Sequence, residues 1–113
     1  MDFELTGPQK DLVTRVRDYL ATHITPELTA EIAETPEGGG PQWKAYIRQL
    51  GADGMLGVGW PTEYGGLGHG PVEQYLFFEE ICRTGIPIPV VAVQTVAPAI
   101  MANGTDQQKA RFL

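Results

Sequence analysis

The glycines of the run GLGHG, at residues 66–70, are the residues whose spacing is most similar to a known binding motif. A dinucleotide fingerprint has three glycines at fixed spacing directly after a strand, where backbone N–H groups can approach a pyrophosphate. The third glycine would stand at position 71, which is Pro71, and no strand pattern precedes the run. We therefore interpret these residues as packing glycines, which are needed where backbone lies close to a neighbouring helix.

Two acids and two histidines are the other candidates for chemistry. Glu79 and Glu80 are adjacent, and neighbours on a helix project about 100° apart, so they cannot share a proton as a catalytic dyad does. His23 and His69 are far apart and have no cysteine or carboxylate at ligand spacing, which disfavours a metal site. No Ser/His/Asp or Cys/His arrangement is recognisable. Residue types and spacing predict no catalytic residue and no metal ligand.

Composition excludes several classes of partner. The 113 residues allow one domain, and the net charge of −6 with a pI near 4.7 argues against nucleic acid and anionic membranes. No apolar run approaches the roughly 18 residues of a membrane span, and the N-terminus MDFELTGPQK has no apolar signal core. These features predict a cytoplasmic globular protein. The single cysteine, Cys82, lies in an apolar helical pattern and is predicted to be a small buried hydrophobe.

The segment IPIPVVAVQTVAPAIMA, residues 86–102, is the best candidate for a ligand-binding surface. Its β-branched run fits a buried strand, but its length and small residues favour a buried helix that begins at Pro87 or Pro89. Pro98 should kink that helix. Its methyl-rich surface, with Gln94 and Thr95 as polar exceptions, suits the wall of an apolar cavity, and ordinary core packing is the alternative.

The elements that would position this segment are predicted to be helices. Thr6 and Gln9 have the spacing of a capping box, and apolar residues recur at helical spacing until Pro26 ends the first helix near Ile24. Residues 26–35 predict a second, weaker helix. Residues 36–40, PEGGG, predict a flexible, exposed loop.

A third helix should begin at Pro41 and end at Gly51, which is expected to take a left-handed conformation. Its predicted inner stripe consists of Trp43, Ile47 and Leu50, with Tyr46 at the flank. The stretch from Gly51 to Gly70 is too rich in glycine for a helix and too apolar for a solvated linker. We interpret it as an ordered crossing between helices, in which Trp60 is first a packing residue and only second a ligand contact.

The helix after the crossing should begin at Pro71 and end at Gly85. It is apolar on several sides, which predicts that neighbours enclose it. A last helix begins at the capping pattern of residues 105–108 and runs only about two turns to Leu113, so we expect the natural continuation to be missing. The whole pattern predicts an all-α domain of about five helices with a glycine-rich crossing.

Two motifs resemble the acyl-CoA dehydrogenase family. Residues 54–80, GMLGVGWPTEYGGLGHGPVEQYLFFEE, are similar to the segment that joins two N-terminal helices in that family. Residues 103–109, NGTDQQK, are similar to the family's Gly-x-x-x-Gln-Lys helix start. The resemblance spans essentially the whole chain. The Gly-Val-Gly-Trp-Pro and Val-Gln-Thr-Val runs are most similar to actinobacterial members that act on sterol side-chain CoA thioesters.

The resemblance implies an FAD-dependent α,β-dehydrogenation of an acyl-CoA thioester. The family has an N-terminal helical domain, a middle β-domain and a C-terminal four-helix domain, with FAD between the latter two and a neighbouring subunit. A carboxylate of the C-terminal part removes the α-proton, and a hydride passes from the β-carbon to the flavin. Residues 1–113 correspond to the N-terminal helical domain alone, so no catalytic residue or FAD ligand carries over, and the fragment itself should be inactive.

What the resemblance does assign is the helix near residues 87–98, which lines the acyl cavity in the family. It implies a substrate-binding role for Val91, Gln94, Thr95 and Pro98, and Pro98 could reshape the far end of the cavity. The leading hypothesis is therefore a domain that contributes to the acyl pocket and to contacts in a homo- or hetero-oligomer. The alternative is a non-catalytic helical interaction module that binds a partner subunit, and the coding sequence beyond Leu113 would distinguish the two.

Overall fold

Helix starts follow the local signals in the sequence. In a computed structural model that describes residues 3–113, the first helix, α1, spans Gly7–His23. The Thr6 hydroxyl accepts a hydrogen bond from the Gln9 N–H at 3.3 Å, and the Gln9 side chain accepts one from the Thr6 N–H at 2.9 Å. This reciprocal capping box satisfies two backbone donors that the first turn leaves free. The prediction of the first helix and its cap is confirmed.

Six α-helices and no strand form within residues 3–113, which confirms the all-α prediction. After α1 come α2 (Pro26–Glu34), α3 (Pro41–Ala52), α4 (Pro71–Thr84), α5 (Ala97–Asn103) and α6 (Asp106–Phe112). A π-helical turn, Ala92–Val96, leads directly into α5. Helix α1 packs on α4, α2 packs on α3, and α5 contacts both the π-helical turn and α6.

One core joins the first four helices to the crossing. Its buried members are Leu12, Val16, Leu20, Leu28, Tyr46, Leu50, Val58, Phe77, Ile81 and Ile86. Val58 comes from the crossing and Ile86 from the chain after α4, so both connections pack with the helices. Burial of this apolar surface is the main force that holds helices of 9 to 17 residues together.

The glycine-rich crossing is ordered, as predicted. It contains two short 3₁₀ turns, Met55–Gly57 and Thr62–Tyr64. Its backbone folds back on itself, because the N–H of His69 donates to the carbonyl of Val58 at 2.9 Å. A similar bond of 2.9 Å joins the N–H of Gly68 to the carbonyl of Trp60. These bonds satisfy backbone groups that no helix or sheet would satisfy here.

The end and the inner face of α3 differ from the predictions. Gly51 lies within the helix, and the left-handed residue is Gly54, with φ of +75°. The side chain of Tyr46 is fully buried, whereas Trp43 and Ile47 are half-buried at the edge of the core. Sequence spacing located the helix correctly but not its orientation, because the facing elements decide which residues are enclosed.

The loop before α3 is held by side chains of its neighbours. The Glu31 carboxylate accepts hydrogen bonds from the N–H groups of Gln42 and Trp43, at 3.0 and 2.8 Å, and so caps α3 from α2. Gly38 lies directly against the indole of Trp43, where a Cβ would not fit. Spacing could not predict this cap, since the glutamate stands 11 and 12 residues away from the amides that it caps.

Helix α4 is buried on one face only. Leu76, Phe77 and Ile81 are in the core, but Val72 and Tyr75 are 50% and 63% exposed. Cys82 is also exposed, which contradicts the prediction of a buried hydrophobe. The reason is that no element within residues 3–113 packs on this side of α4, which carries the exposed Glu79–Arg83 ion pair beside Val72 and Tyr75.

Candidate functional site

Two tryptophans fix the segment that was predicted to bind substrate. The indole N–H of Trp43 donates to the carbonyl of Pro87 at 2.7 Å. The indole N–H of Trp60 donates to the carbonyl of Val93 at 3.3 Å. One anchor comes from α3 and holds the chain at Pro87, before the helix begins at Val90, and the other comes from the crossing and holds Val93 within the helix; both donors are half-buried.

Pro98 shapes this segment through a π-helical turn. The N–H of Ala97 donates to the carbonyl of Ala92, five residues earlier, in place of the four-residue bond of an α-helix. Pro98 then occupies the first turn of α5, where a missing N–H is tolerated. In a continuous α-helix its ring would clash with the carbonyl four residues earlier. The helix prediction is confirmed, and the π-helical turn stands where a kink was predicted.

The four predicted substrate-binding residues do not share one surface. Gln94 and Pro98 line the same groove, which has a volume of about 500 Å³ and also includes Trp60. Thr95 lines a neighbouring groove of about 450 Å³. Val91 is 70% exposed and lines neither groove. All four lie on the surface of the chain, and their role in binding stays a prediction.

The groove beside Gln94, which we call the Gln94 groove, combines apolar and polar surface in similar measure. Its lining residues are Gly59, Trp60, Pro61, Pro71, Gln74, Tyr75, Phe78, Gln94, Pro98 and Met101. The side-chain amides of Gln74 and Gln94 can each donate and accept hydrogen bonds. No Asp, Glu, His, Lys or Arg belongs to this lining. The groove can therefore hold an apolar group with a neutral polar substituent, and it offers no carboxylate, imidazole or cationic side chain for proton transfer.

Sequence reasoning singled out three of the ten residues that line this groove, Trp60, Gln94 and Pro98, and missed the others. Gln74, Tyr75 and Phe78 come from α4, whose apolar pattern was interpreted as fully enclosed. Gln74 stands beside Glu73 in the first turn of that helix, so nothing in the sequence pattern set it apart as a groove residue. Trp60 was correctly singled out as a packing residue, but its contact with Val93 could not be inferred from spacing.

The charged and titratable clusters lie away from the groove. Arg17 forms a bidentate ion pair with Glu80, at 2.8 and 3.0 Å. Hydrogen bonds from Gln49 and from Tyr19 lower the pKa of Asp53 below its ordinary value. Within residues 3–113, no group of three or more His, Cys, Asp or Glu side chains is arranged to hold a metal ion. No helix in the same range is long and apolar enough to cross a bilayer.

Comparison with known proteins decides the family. Residues 6–113 match the family model described as "Acyl-CoA dehydrogenase, N-terminal domain". The chain belongs to the acyl-CoA dehydrogenase family. This acyl-CoA dehydrogenase domain is 43% identical over 113 residues to the acyl-CoA dehydrogenase FadE29 of Mycobacterium tuberculosis, an alignment that covers 100% of this chain and 29% of that protein. The chain therefore spans less than a third of the length of this relative.

Solved structures of the family share the fold of this domain. The ChsE4-ChsE5 complex from Mycobacterium tuberculosis has a TM-score of 0.84 and 41% identity, over 100% of this chain and 28% of that chain. The structure titled "Tcur3481-Tcur3483 steroid ACAD" has a TM-score of 0.85 and 36% identity, over 99% of this chain and 29% of that chain. Both the resemblance inferred from the sequence and the assignment to the N-terminal domain are confirmed.

The family generally uses FAD, and the Gln94 groove does not fit that cofactor. A dinucleotide needs cations or a row of free backbone N–H groups for its pyrophosphate, and no Lys or Arg lines the groove. The groove is also lined by proline and aromatic side chains where such N–H groups would be needed. No step of a flavin reaction is therefore assigned to residues of this acyl-CoA dehydrogenase domain.

Proposed function

We propose that this domain is part of an enzyme that dehydrogenates an acyl-CoA thioester between its α- and β-carbons, and that the Gln94 groove forms part of the acyl cavity. The observation that carries the proposal is the lining of the groove, which is apolar and aromatic with two neutral amides and no charge. Such a surface suits a hydrocarbon chain or ring system that carries an occasional polar group.

The chemistry itself must come from elsewhere in the enzyme. FAD, where other parts of the protein hold it, would supply the hydride acceptor. The residues of this domain would exclude water from the acyl group and orient it, because their side chains are bulky, apolar and without a titratable carboxylate at the groove.

The proposed substrate class is a CoA thioester with a steroid-like ring system. Support comes from the "steroid ACAD" title of one solved structure with the same fold. The Gln94 groove adds to this support, since the faces of Trp60, Tyr75 and Phe78 offer broad contacts for fused rings.

We further propose that the enzyme is a homo- or hetero-oligomer. The solved structures with this fold include the ChsE4-ChsE5 complex, which contains two different proteins. Exposed apolar side chains on this domain, such as Val72, Tyr75 and Val91, would be covered by other domains or subunits. A cytoplasmic location stays a prediction from the sequence.

The test uses the extended protein, by which we mean this chain together with whatever its gene encodes beyond Leu113. The extended protein should purify as a yellow flavoprotein and reduce an electron-accepting dye with acyl-CoA thioesters. A panel of straight-chain, branched and steroid-ring thioesters should show the highest kcat/KM for the ring-bearing ones. A colourless protein that is inactive across the whole panel would contradict the proposal and favour the non-catalytic interaction module.

A further inference from the structure

The carbonyl of Val93 lacks both of the backbone donors that a helix normally provides. In an α-helix its donor would be the N–H of Ala97, but that N–H donates to Ala92. In the π-helical register its donor would be residue 98, five positions later, which is a proline without an N–H. The combination of the π-helical turn and Pro98 thus leaves one carbonyl without a partner in its own helix.

The indole of Trp60 replaces the missing donor. Its Nε1 lies 3.3 Å from the oxygen of Val93, and Val93 is only 5% exposed, so water has little access to the site. A buried carbonyl without a partner is unfavourable. The indole N–H therefore removes the unfavourable free energy of an unpaired buried carbonyl, which would otherwise destabilise the π-helical turn.

The crossing is built closely around Trp60. A Cβ on Gly57 would lie 3.0 Å from the indole ring, and a Cβ on Gly66 would overlap the backbone of Trp60. The carbonyl of Trp60 accepts a hydrogen bond from Gly68 at 2.9 Å. The Gly57 contact limits how far the indole ring can turn away from Val93, and the Gly66 and Gly68 contacts hold the backbone of Trp60.

We propose that Trp60 is a positioning residue: its indole N–H takes the place of the N–H that Pro98 lacks, and so maintains the π-helical turn that keeps Gln94 and Pro98 together in the groove. That the groove receives the acyl group rests on the proposed function. The link between Trp60, Val93 and Pro98 does not, and it can be tested without turnover.

The first experiment measures amide hydrogen exchange in the extended protein. Trp60→Phe keeps an aromatic ring but removes the donor, and exchange in the segment 92–103 should become roughly three- to tenfold faster, as expected for one net hydrogen bond. Trp43→Phe is the matched control, because it removes the same kind of indole bond, to Pro87. That variant should change exchange in the segment 92–103 by less than about twofold.

A double-mutant cycle tests the role of Pro98. An alanine at position 98 has an N–H, so the carbonyl of Val93 can obtain a backbone donor in either helical register. In the Pro98→Ala background, Trp60→Phe should therefore change exchange in the segment 92–103 by less than about twofold. The proposal would be overturned if Trp60→Phe changed exchange in the segment 92–103 equally in both backgrounds. It would also be overturned if Trp43→Phe changed exchange in this segment as much as Trp60→Phe does.

A kinetic measurement separates positioning from general stability. Trp60→Phe should raise KM for the best thioester of the panel roughly three- to tenfold while kcat changes less than about twofold, because the wall of the groove acts on binding. A lower melting temperature with unchanged KM and unchanged exchange in the segment 92–103 would show a purely structural role and overturn the proposal. If no thioester is turned over, the proposed function fails, and the exchange cycle still decides the inference about Trp60.

If Trp60→Phe does not fold, Trp60→Phe combined with Pro98→Ala carries the same test. The double variant should fold, because the backbone then supplies the donor that the indole supplied. Failure of the double variant to fold would show that packing of the indole, and not its hydrogen bond, is what the segment requires, and would overturn the proposal.

Discussion

The guanidinium of Arg17 donates two hydrogen bonds to the carboxylate of Glu80, from Nε at 2.8 Å and from Nη2 at 3.0 Å. Glu80 is 6% exposed, whereas more than half of the Arg17 side chain is exposed. The pair joins α1 to α4, two helices that also share the core. It accounts for a buried acid in the middle of an apolar helix, since burial of a carboxylate is tolerated when a fixed donor pairs with it.

Arg17→Met should lower the melting temperature of the extended protein, because the buried carboxylate of Glu80 would lose its donor. Arg15→Met is the matched control, since Arg15 is exposed on the same helix and the substitution changes the net charge equally. Equal melting temperatures of the two variants by differential scanning calorimetry would show that the ion pair contributes nothing.

The hydroxyl of Tyr46 is buried and has no hydrogen-bond partner within residues 3–113. Tyr46→Phe should therefore leave the free energy of unfolding at pH 7 unchanged or raise it by up to about 1 kcal/mol. Tyr19→Phe is the contrasting variant, because the Tyr19 hydroxyl donates to Asp53 at 2.5 Å. It should lower the midpoint of urea unfolding, because a hydrogen bond to a carboxylate is lost. A loss of more than about 1 kcal/mol in Tyr46→Phe would mean that its hydroxyl has a partner after all.

The contribution of Tyr46 to the free energy of unfolding should change at alkaline pH. Burial raises the pKa of Tyr46 from 10.0 to about 12, so the folded protein holds this proton more tightly than the unfolded chain does. Its contribution to stability is complete below pH 10 and is lost as the pH rises towards 12. Tyr46→Phe should therefore show a flatter decline of unfolding free energy over this range than the wild type. If the unfolding free energies of Tyr46→Phe and of the wild type fell in parallel over this pH range, the raised pKa of Tyr46 would be contradicted.

Phe77→Ala should cost about 3–5 kcal/mol of unfolding free energy, as expected for removal of a large core side chain. Phe77 is 1% exposed and contacts Phe78 edge to face, with ring centroids 5.5 Å apart. Phe3→Ala serves as the control, since Phe3 is 86% exposed, and it should change stability by less than about 0.5 kcal/mol. Similar losses in both variants would mean that α4 is packed differently.

Gly66→Ala should destabilise the crossing by about 3 kcal/mol or more, because the added methyl would overlap the backbone carbonyl and Cβ of Trp60. Gly65→Ala is the neighbouring control. Gly65 has φ of +80° but open space around it, so that variant should cost only about 1–2 kcal/mol of backbone strain. Chemical denaturation of the two variants tests the close approach of Gly66 to Trp60, because Gly66→Ala should lose more stability than Gly65→Ala. A larger loss in Gly65→Ala would exclude this close approach.

Gln94→Ala in the extended protein should raise KM for the best thioester of the panel roughly three- to tenfold, by removal of a neutral hydrogen bond in the groove. Val91→Ala should change KM by less than about twofold, because Val91 lines neither groove. Steady-state kinetics of the two variants would compare their KM values under the same conditions. A larger effect of Val91→Ala would mean that the substrate lies on the other side of the segment.

The predictions that held rest on local interactions. Both capping boxes, the prolines in the first turns and the stop at Gly85 operate within about four residues of the backbone groups that they satisfy. Those signals were sufficient for the limits of most helices and for the ordered crossing, although six α-helices form within residues 3–113 where about five were predicted. Helix α3 ends at Ala52, one residue beyond the predicted end, but its left-handed residue is Gly54 instead of Gly51, because two glycines close together offer equally good left-handed positions.

The amino-acid sequence alone thus determined the helices, the crossing and the family, since periodicity, caps and motifs act along the chain. Only the tertiary structure decided which faces remain open and which side chains form the groove. The Trp60–Val93 and Arg17–Glu80 contacts join residues 33 and 63 positions apart. Such contacts depend on how the helices pack, and the spacing of residues within one helix carries no information about them.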